Sequence, residues 1–139
     1  MPGFYFLVSM KNTFRKRERI TNKKTINRLF TSGKSISSFP YRIIWDLVKE
    51  NENSPAQITI AVPKKKFSKA VDRNSLKRKM REAYRKNKEI IYNPLIEKKI
   101  FLACILIYTG NELISYEEIE NKMIVSLRKL VQQLTDIKI

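Results

Sequence analysis

The run IFLACILIY at positions 100–108 does most to limit what this chain can fold into. Its length is that of a strand, and successive strand residues point to opposite faces, so a run apolar throughout has no face suited to water. Such a strand belongs inside a sheet, with apolar cover on both sides. The remaining segments have to supply its neighbours and that cover.

Two other runs rich in β-formers, PYRIIWDLVK from Pro40 and QITIAVP ending at Pro63, flank the polar turn NENSP. Their spacing predicts an antiparallel hairpin. Three helices are predicted around these strands. The first holds Ile26, Leu29 and Phe30 at helical spacing, with Thr21 or Asn22 as its cap and Gly33 as a left-handed stop. The second runs from Asp72, read as its cap, to about Asn87, and Asn93-Pro94 marks a break after it. The third opens on a capping box, Ser115 with Glu118. Its stripe of Ile119, Met123, Ile124, Leu127, Leu130, Val131 and Leu134 suits packing on a sheet. With 139 residues the chain has room for one modest core, so the expected class is α+β: an α/β sandwich with a small central mixed sheet and three helices.

Charge is the second constraint. Lys and Arg number 29 against 13 Asp and Glu, a net charge of +16, which points to a polyanionic partner, nucleic acid before membrane surface. No stretch approaches the roughly 20 apolar residues of a membrane span, so no membrane partner is expected. Residues 11–34 hold nine of the cations and 64–88 hold twelve, whereas 112–139 has five acids against four bases. The apolar start MPGFYFLVSMKN has its first cation, Lys11, after the apolar residues, which is the wrong order for a secretory signal. Met10 could itself begin a chain, so residues 1–13 read as a flexible extension and 14–139 as the domain. The lone Cys104 has no disulfide partner and suits a reducing, cytoplasmic setting.

The cations of the second helix are arranged. At about 100° per residue, Leu76, Met80, Ala83 and Tyr84 share one arc, the core face. Arg73, Asn74, Lys77, Arg78, Arg81 and Arg85 fall in the adjoining arc. Within it Arg73, Lys77, Arg81 and Arg85 form an unbroken i,i+4 row of like charge, which is locally unfavourable unless a partner neutralises it. Arginine forks suit phosphate, and Asn74 can reach a base edge or a sugar hydroxyl. The preceding loop, PKKKFSKAV, adds Lys64, Lys65, Lys66 and Lys69 where the helix N-terminus already favours anions.

These residues resemble the signature of the bacterial ribonuclease P protein component, Lys-x-Gly-x-Ala-x-x-Arg-Asn-x-x-Lys-Arg-x-x-Arg-Glu. Lys66, Ala70, Arg73, Asn74, Lys77, Arg78, Arg81 and Glu82 match it in register, with Ser68 in place of the Gly. FRKRERI at 14–20 is similar to the family's opening, and LFTSGKS matches its Phe-x-x-Gly turn through Phe30 and Gly33. The resemblance implies the element order α-β-β-β-α-β-α with a left-handed βαβ crossover. It implies that the basic helix and its lysine loop dock on the catalytic RNA of ribonuclease P. It further implies that a cleft between the first helix and the sheet holds the 5′ leader of precursor tRNA. Phe30, Ile26 and a sheet residue among Tyr41, Ile43 and Trp45 would line that cleft, with Phe14, Lys16 and Arg19 nearby. The expected assembly is one protein monomer with one RNA.

The chain has no histidine, and only Asp72 and Glu82 are acidic between 64 and 88, so neither acid–base nor two-metal chemistry is expected of the protein. No cofactor is expected on the protein alone. The chemistry falls to the RNA subunit, with Mg²⁺ in the holoenzyme. The competing class is a general RNA-binding or ribosome-associated protein with no enzyme role. A DNA-binding regulator would need a helix-turn-helix and usually dimer symmetry.

Overall fold

The structure, a computed structural model, describes residues 14, 18–20, 22–49 and 54–136. Along the chain the elements are α1 (Lys23–Ser32), β1 (Lys34–Ser38), β2 (Tyr41–Val48), β3 (Ala56–Ala61), α2 (Ala70–Asn87), α3 (Glu89–Lys98), β4 (Phe101–Tyr108) and α4 (Tyr116–Thr135). The fold is thus α+β with the order α-β-β-β-α-α-β-α, four helices among the described residues where three were expected.

The four strands form one mixed sheet in the order β1-β2-β4-β3. The apolar run is interior, as its composition requires: β4 lies antiparallel to β2 and parallel to β3. The expected hairpin between β2 and β3 does not form. β4, the one strand apolar on both faces among the described residues, inserts between them, and the hairpin partner of β2 is β1. A crossover through α2 and α3 joins the parallel neighbours β3 and β4.

Register divides the sheet into two faces. Tyr41, Ile43 and Trp45 of β2 lie beside Tyr108, Leu106 and Cys104 of β4 and form the main core with Leu76, Met80, Ala83 and Tyr84 of α2 and the buried stripe of α4. On the opposite face Ile44, Ala103 and Ile105 pack with Leu29 of α1 and with Ile20. The Phe39–Pro40 peptide, at the β1–β2 turn, is cis.

Helix ends differ from expectation in three places. Asn22 caps α1 by accepting from the Lys24 N–H, but Gly33 is extended (φ −72°, ψ 157°) and is not a left-handed stop. Its glycine is needed for space: a Cβ there would sit 2.5 Å from the Leu29 carbonyl oxygen and 2.9 Å from Ile44 Cγ2. α2 begins at Ala70, so Asp72 stands in the first turn, still at the positive end of the dipole, and Lys69 occupies the cap position without a side-chain bond. The chain breaks at Lys88, and Pro94 sits inside α3, whose residues Ile91, Tyr92 and Leu95 are buried. Lys99 closes α3 in the left-handed conformation (φ 58°, ψ 42°), a role that glycine more often fills. Ser115 accepts from the Glu118 N–H at the start of α4, as its pattern predicts.

A buried ion pair ties the N-terminal segment to the α2–α3 junction. Glu18 and Lys88 are both fully buried, and the Tyr92 hydroxyl donates to the same Glu18 oxygen at 2.6 Å. Breaking such a pair from one side costs far more than replacing both partners with apolar groups. Lys88→Met is therefore expected to lower the unfolding free energy by about 3–5 kcal/mol. The double variant Glu18→Leu/Lys88→Met is expected to recover most of it, as read by urea denaturation. Burial also pushes the Cys104 thiol up to about 12, so it stays protonated through neutral pH. Maleimide labelling at pH 8 is expected to require unfolding.

Candidate nucleic-acid interface

α2 sorts its cations by flank. Toward α4, Lys79 donates to the Ile114 carbonyl at 3.2 Å, and Lys86 lies 5.5 Å from the centre of the Tyr116 ring. These cations hold the fold together. On the other flank, Asn74, Arg78 and Arg81 are exposed and Lys77 is half-buried. Among the described residues, Lys77, Arg78 and Arg81 form no salt bridge with an acid.

Two members of the expected cationic row are engaged by the chain itself. Arg85 makes a forked pair with Glu82 (Nε to Oε2 2.9 Å, Nη2 to Oε1 2.6 Å), which holds the Glu82 carboxyl below its ordinary range. The pair is partly exposed, so its net worth is small. Arg73 directs one nitrogen to the carbonyls of Phe67 and Ser68, at 2.8 and 2.9 Å. It thereby fastens the lysine loop to the first turns of α2.

That loop is a built structure. The N–H groups of Lys66 and Phe67 both donate to the Pro63 carbonyl, and the Lys66 ammonium bonds the Thr109 carbonyl at the end of β4. Phe67 is buried against Tyr108, with ring centroids 5.9 Å apart. Ser68 has a negative φ, so it takes the glycine's place in the signature without strain. Lys64, Lys65 and Lys69 remain exposed beside the helix N-terminus, and Lys66 is spent on the fold.

The structure separates the residues expected near the leader cleft. Phe30 is 58% exposed on α1, and Ile26 is half-buried beside it. Tyr41, Ile43 and Trp45 face away from α1 and are each 1% exposed in the main core, so they cannot line a cleft between α1 and the sheet. The α1 side of the sheet instead carries Val48, Ala61 and Ile107, half-buried around Leu29, Ile44 and Ile105. Alternation held the signal: Arg42, Ile44, Asp46 and Val48 form the amphipathic face of β2, while Tyr41, Ile43, Trp45 and Leu47 form its wholly apolar face.

Phe14 and Arg19 are held against α2. Phe14 packs edge-on against Tyr84 of α2, with centroids 5.4 Å apart, and the Arg19 guanidinium lies 5.0 Å from the centre of the Phe14 ring. Ile20 donates its N–H to the Ile58 carbonyl, so this segment runs along the outer edge of β3. Lys16 lies outside the described residues. Among the described residues, no three or more His, Cys, Asp or Glu side chains gather as a metal site, and no helix is long and apolar enough to cross a membrane.

Fold and face together define a small α+β domain with an exposed cationic flank on a core-anchored helix and a lysine-rich loop before it. Comparison with known proteins gives that class a family. The family model described as Ribonuclease P matches residues 14–131. The chain is 33% identical over 115 residues to the ribonuclease P protein component of Porphyromonas gingivalis (strain ATCC 33277), covering 83% of this chain and 84% of the relative. It is 39% identical over 84 residues to that of Chlorobium phaeobacteroides, covering 58% of each. Among solved structures, the RNase P protein of Thermotoga maritima matches at a TM-score of 0.65 and 22% identity, over 81% of this chain and 96% of that one. The Staphylococcus aureus RNase P protein matches at 0.57 and 20% identity, over 86% and 96%. These two likenesses establish the fold. The chain belongs to the ribonuclease P protein family, the protein component of the ribonucleoprotein endoribonuclease that matures tRNA 5′ ends.

The geometry of Arg73 predicts an indirect role. Arg73→Ala is expected to weaken binding of ribonuclease P RNA when Lys64, Lys65 and Lys69 are present. It is expected to add little further loss once those three are alanine, in a double-mutant cycle read by filter binding. A direct phosphate contact would give additive losses.

Proposed function

We propose that the flank of α2 carrying Asn74, Lys77, Arg78 and Arg81, with the exposed lysines of the preceding loop, docks on the catalytic RNA of ribonuclease P. The observation that carries this reading is the pairing of an exposed, uncompensated cationic flank with a core face on the same helix. Leu76, Met80, Ala83 and Tyr84 fix its orientation, so the cations are presented without further ordering of the backbone.

The 5′ leader of precursor tRNA lies in the cleft between α1 and the sheet. Phe30 offers a ring for base stacking, and Ile26, Val48, Ala61 and Ile107 supply apolar walls. The protein acts through binding energy, neutralising backbone charge and holding the substrate, while the RNA subunit carries the chemistry. Mg²⁺ in the holoenzyme is held by RNA oxygens. The working unit is one protein with one catalytic RNA in the cytoplasm. A general RNA-binding protein would bind unrelated structured RNAs equally well and would not stimulate leader removal.

The test is reconstitution of leader cleavage at physiological Mg²⁺ with and without the protein. Arg78→Ala is expected to reduce the slope of log affinity for the catalytic RNA against log salt by about 1, and Lys122→Ala in α4 to leave it unchanged. Phe30→Ala is expected to weaken leader-bearing precursor tRNA by about 1–3 kcal/mol, with affinity for the catalytic RNA unaltered. Equal losses from Arg78→Ala and Lys122→Ala would mean diffuse attraction and no defined face.

A further inference from the structure

The N-terminal segment turns part of α2's convex cationic flank into a concavity. Phe14, Arg19, Arg78, Arg81, Glu82 and Arg85 line a groove of about 400 Å³. A second hollow of about 150 Å³ shares Phe14, Arg19 and Arg81 with it and is floored by Ile58, Thr59 and Ile60 of β3. One compartment is therefore cationic and the other largely apolar. The same aromatic ring and two guanidiniums belong to both.

Docking the outside of an RNA helix needs only a cationic surface. It has no use for an adjoining apolar hollow. The combination suits a ligand with an anionic part and a flat apolar part a few ångströms away, and the larger compartment falls in the range of small-molecule sites, about 300–1,000 Å³. The Arg19 guanidinium already lies over the Phe14 ring and presents a planar surface of the kind on which unstacked bases settle in RNA recognition. Arg78 and Arg81 are exposed at the groove, free of salt bridges to described acids, and so have donors to offer a phosphate.

We propose that this composite groove receives a single unstacked nucleotide of the RNA. Arg78 and Arg81 hold its phosphate, and its base lies against the Arg19–Phe14 stack over the β3 floor. The proposal rests on the reading that α2's flank meets RNA. It adds a site distinct from the α1 cleft and one that discriminates a splayed base from a regular helix.

The experiment titrates the full chain with adenosine 5′-monophosphate and, separately, with ribose 5-phosphate, followed by NMR of arginine Nε–H and aromatic signals. The expected result is tighter binding of the nucleotide by at least about fivefold, the lower end of base–aromatic stacking, with shifts at Phe14, Arg19 and Arg81. Arg81→Ala is expected to weaken both ligands, and Phe14→Leu to abolish the difference between them while ribose 5-phosphate still binds. The ratio measured on the unaltered protein stands even if Phe14→Leu fails to fold. Equal affinities, or shifts centred on Phe30 or on the 64–69 loop, would overturn the proposal. If that happens while Arg78→Ala still weakens the catalytic RNA, the docking face survives and only the nucleotide site is lost.

Discussion

Everything in this fold follows from the need to cover β4 on two sides. Leu102, Cys104 and Leu106 look one way, and Ala103 and Ile105 look the other, so helices must pack on both faces and the strand cannot lie at an edge. The larger face takes α2, α3 and α4. The smaller takes α1 and Ile20, which cover Ile44 and Ile105 but leave Ala61 and Ile107 half-covered. Cover on that side is incomplete, and the crossover that delivers the chain from β3 to β4 is what puts α2 at the surface with one face inward.

The partition of charge on α2 gives the helix its working character. Cations on the α4 side bond carbonyls or cover an aromatic ring, one near the N-terminus shapes the lysine loop, and one near the C-terminus is held by an acid. The remainder face outward between fixed neighbours. Spatial confinement of the unsatisfied charges, more than their number, turns a general attraction for polyanions into a face with limits.

Much of this was legible in the chain. The interior placement of 100–108, the buried arc of α2, the stripe of α4 and the signature around Arg73 all follow from patterns spanning several residues. What was not legible depended on long-range choices. The polar turn NENSP reads as a hairpin, yet pairing with β4 outcompetes it because a doubly apolar strand gains more by lying between β2 and β3. Pro94 reads as a break, yet Ile91, Tyr92 and Leu95 recur at helical spacing and packing overrides the lost N–H. At the site, Ile43 and Ile44 are both apolar, so composition alone leaves open which face of β2 meets α1. The wholly apolar alternation of Tyr41, Ile43 and Trp45 marks them as core. The roles of Arg73 and Lys66 as fasteners are invisible without coordinates, since carbonyl partners carry no sequence mark.

The Glu18–Lys88 pair joins residues 70 positions apart. A chain emerging from the ribosome exposes the carboxylate long before its ammonium partner exists, and until then that carboxylate must stay in water. The stretch bearing Phe14 and Arg19 can therefore settle beside α2 only after the α2–α3 junction has been synthesised. The concave part of the cationic face therefore forms no earlier than that junction.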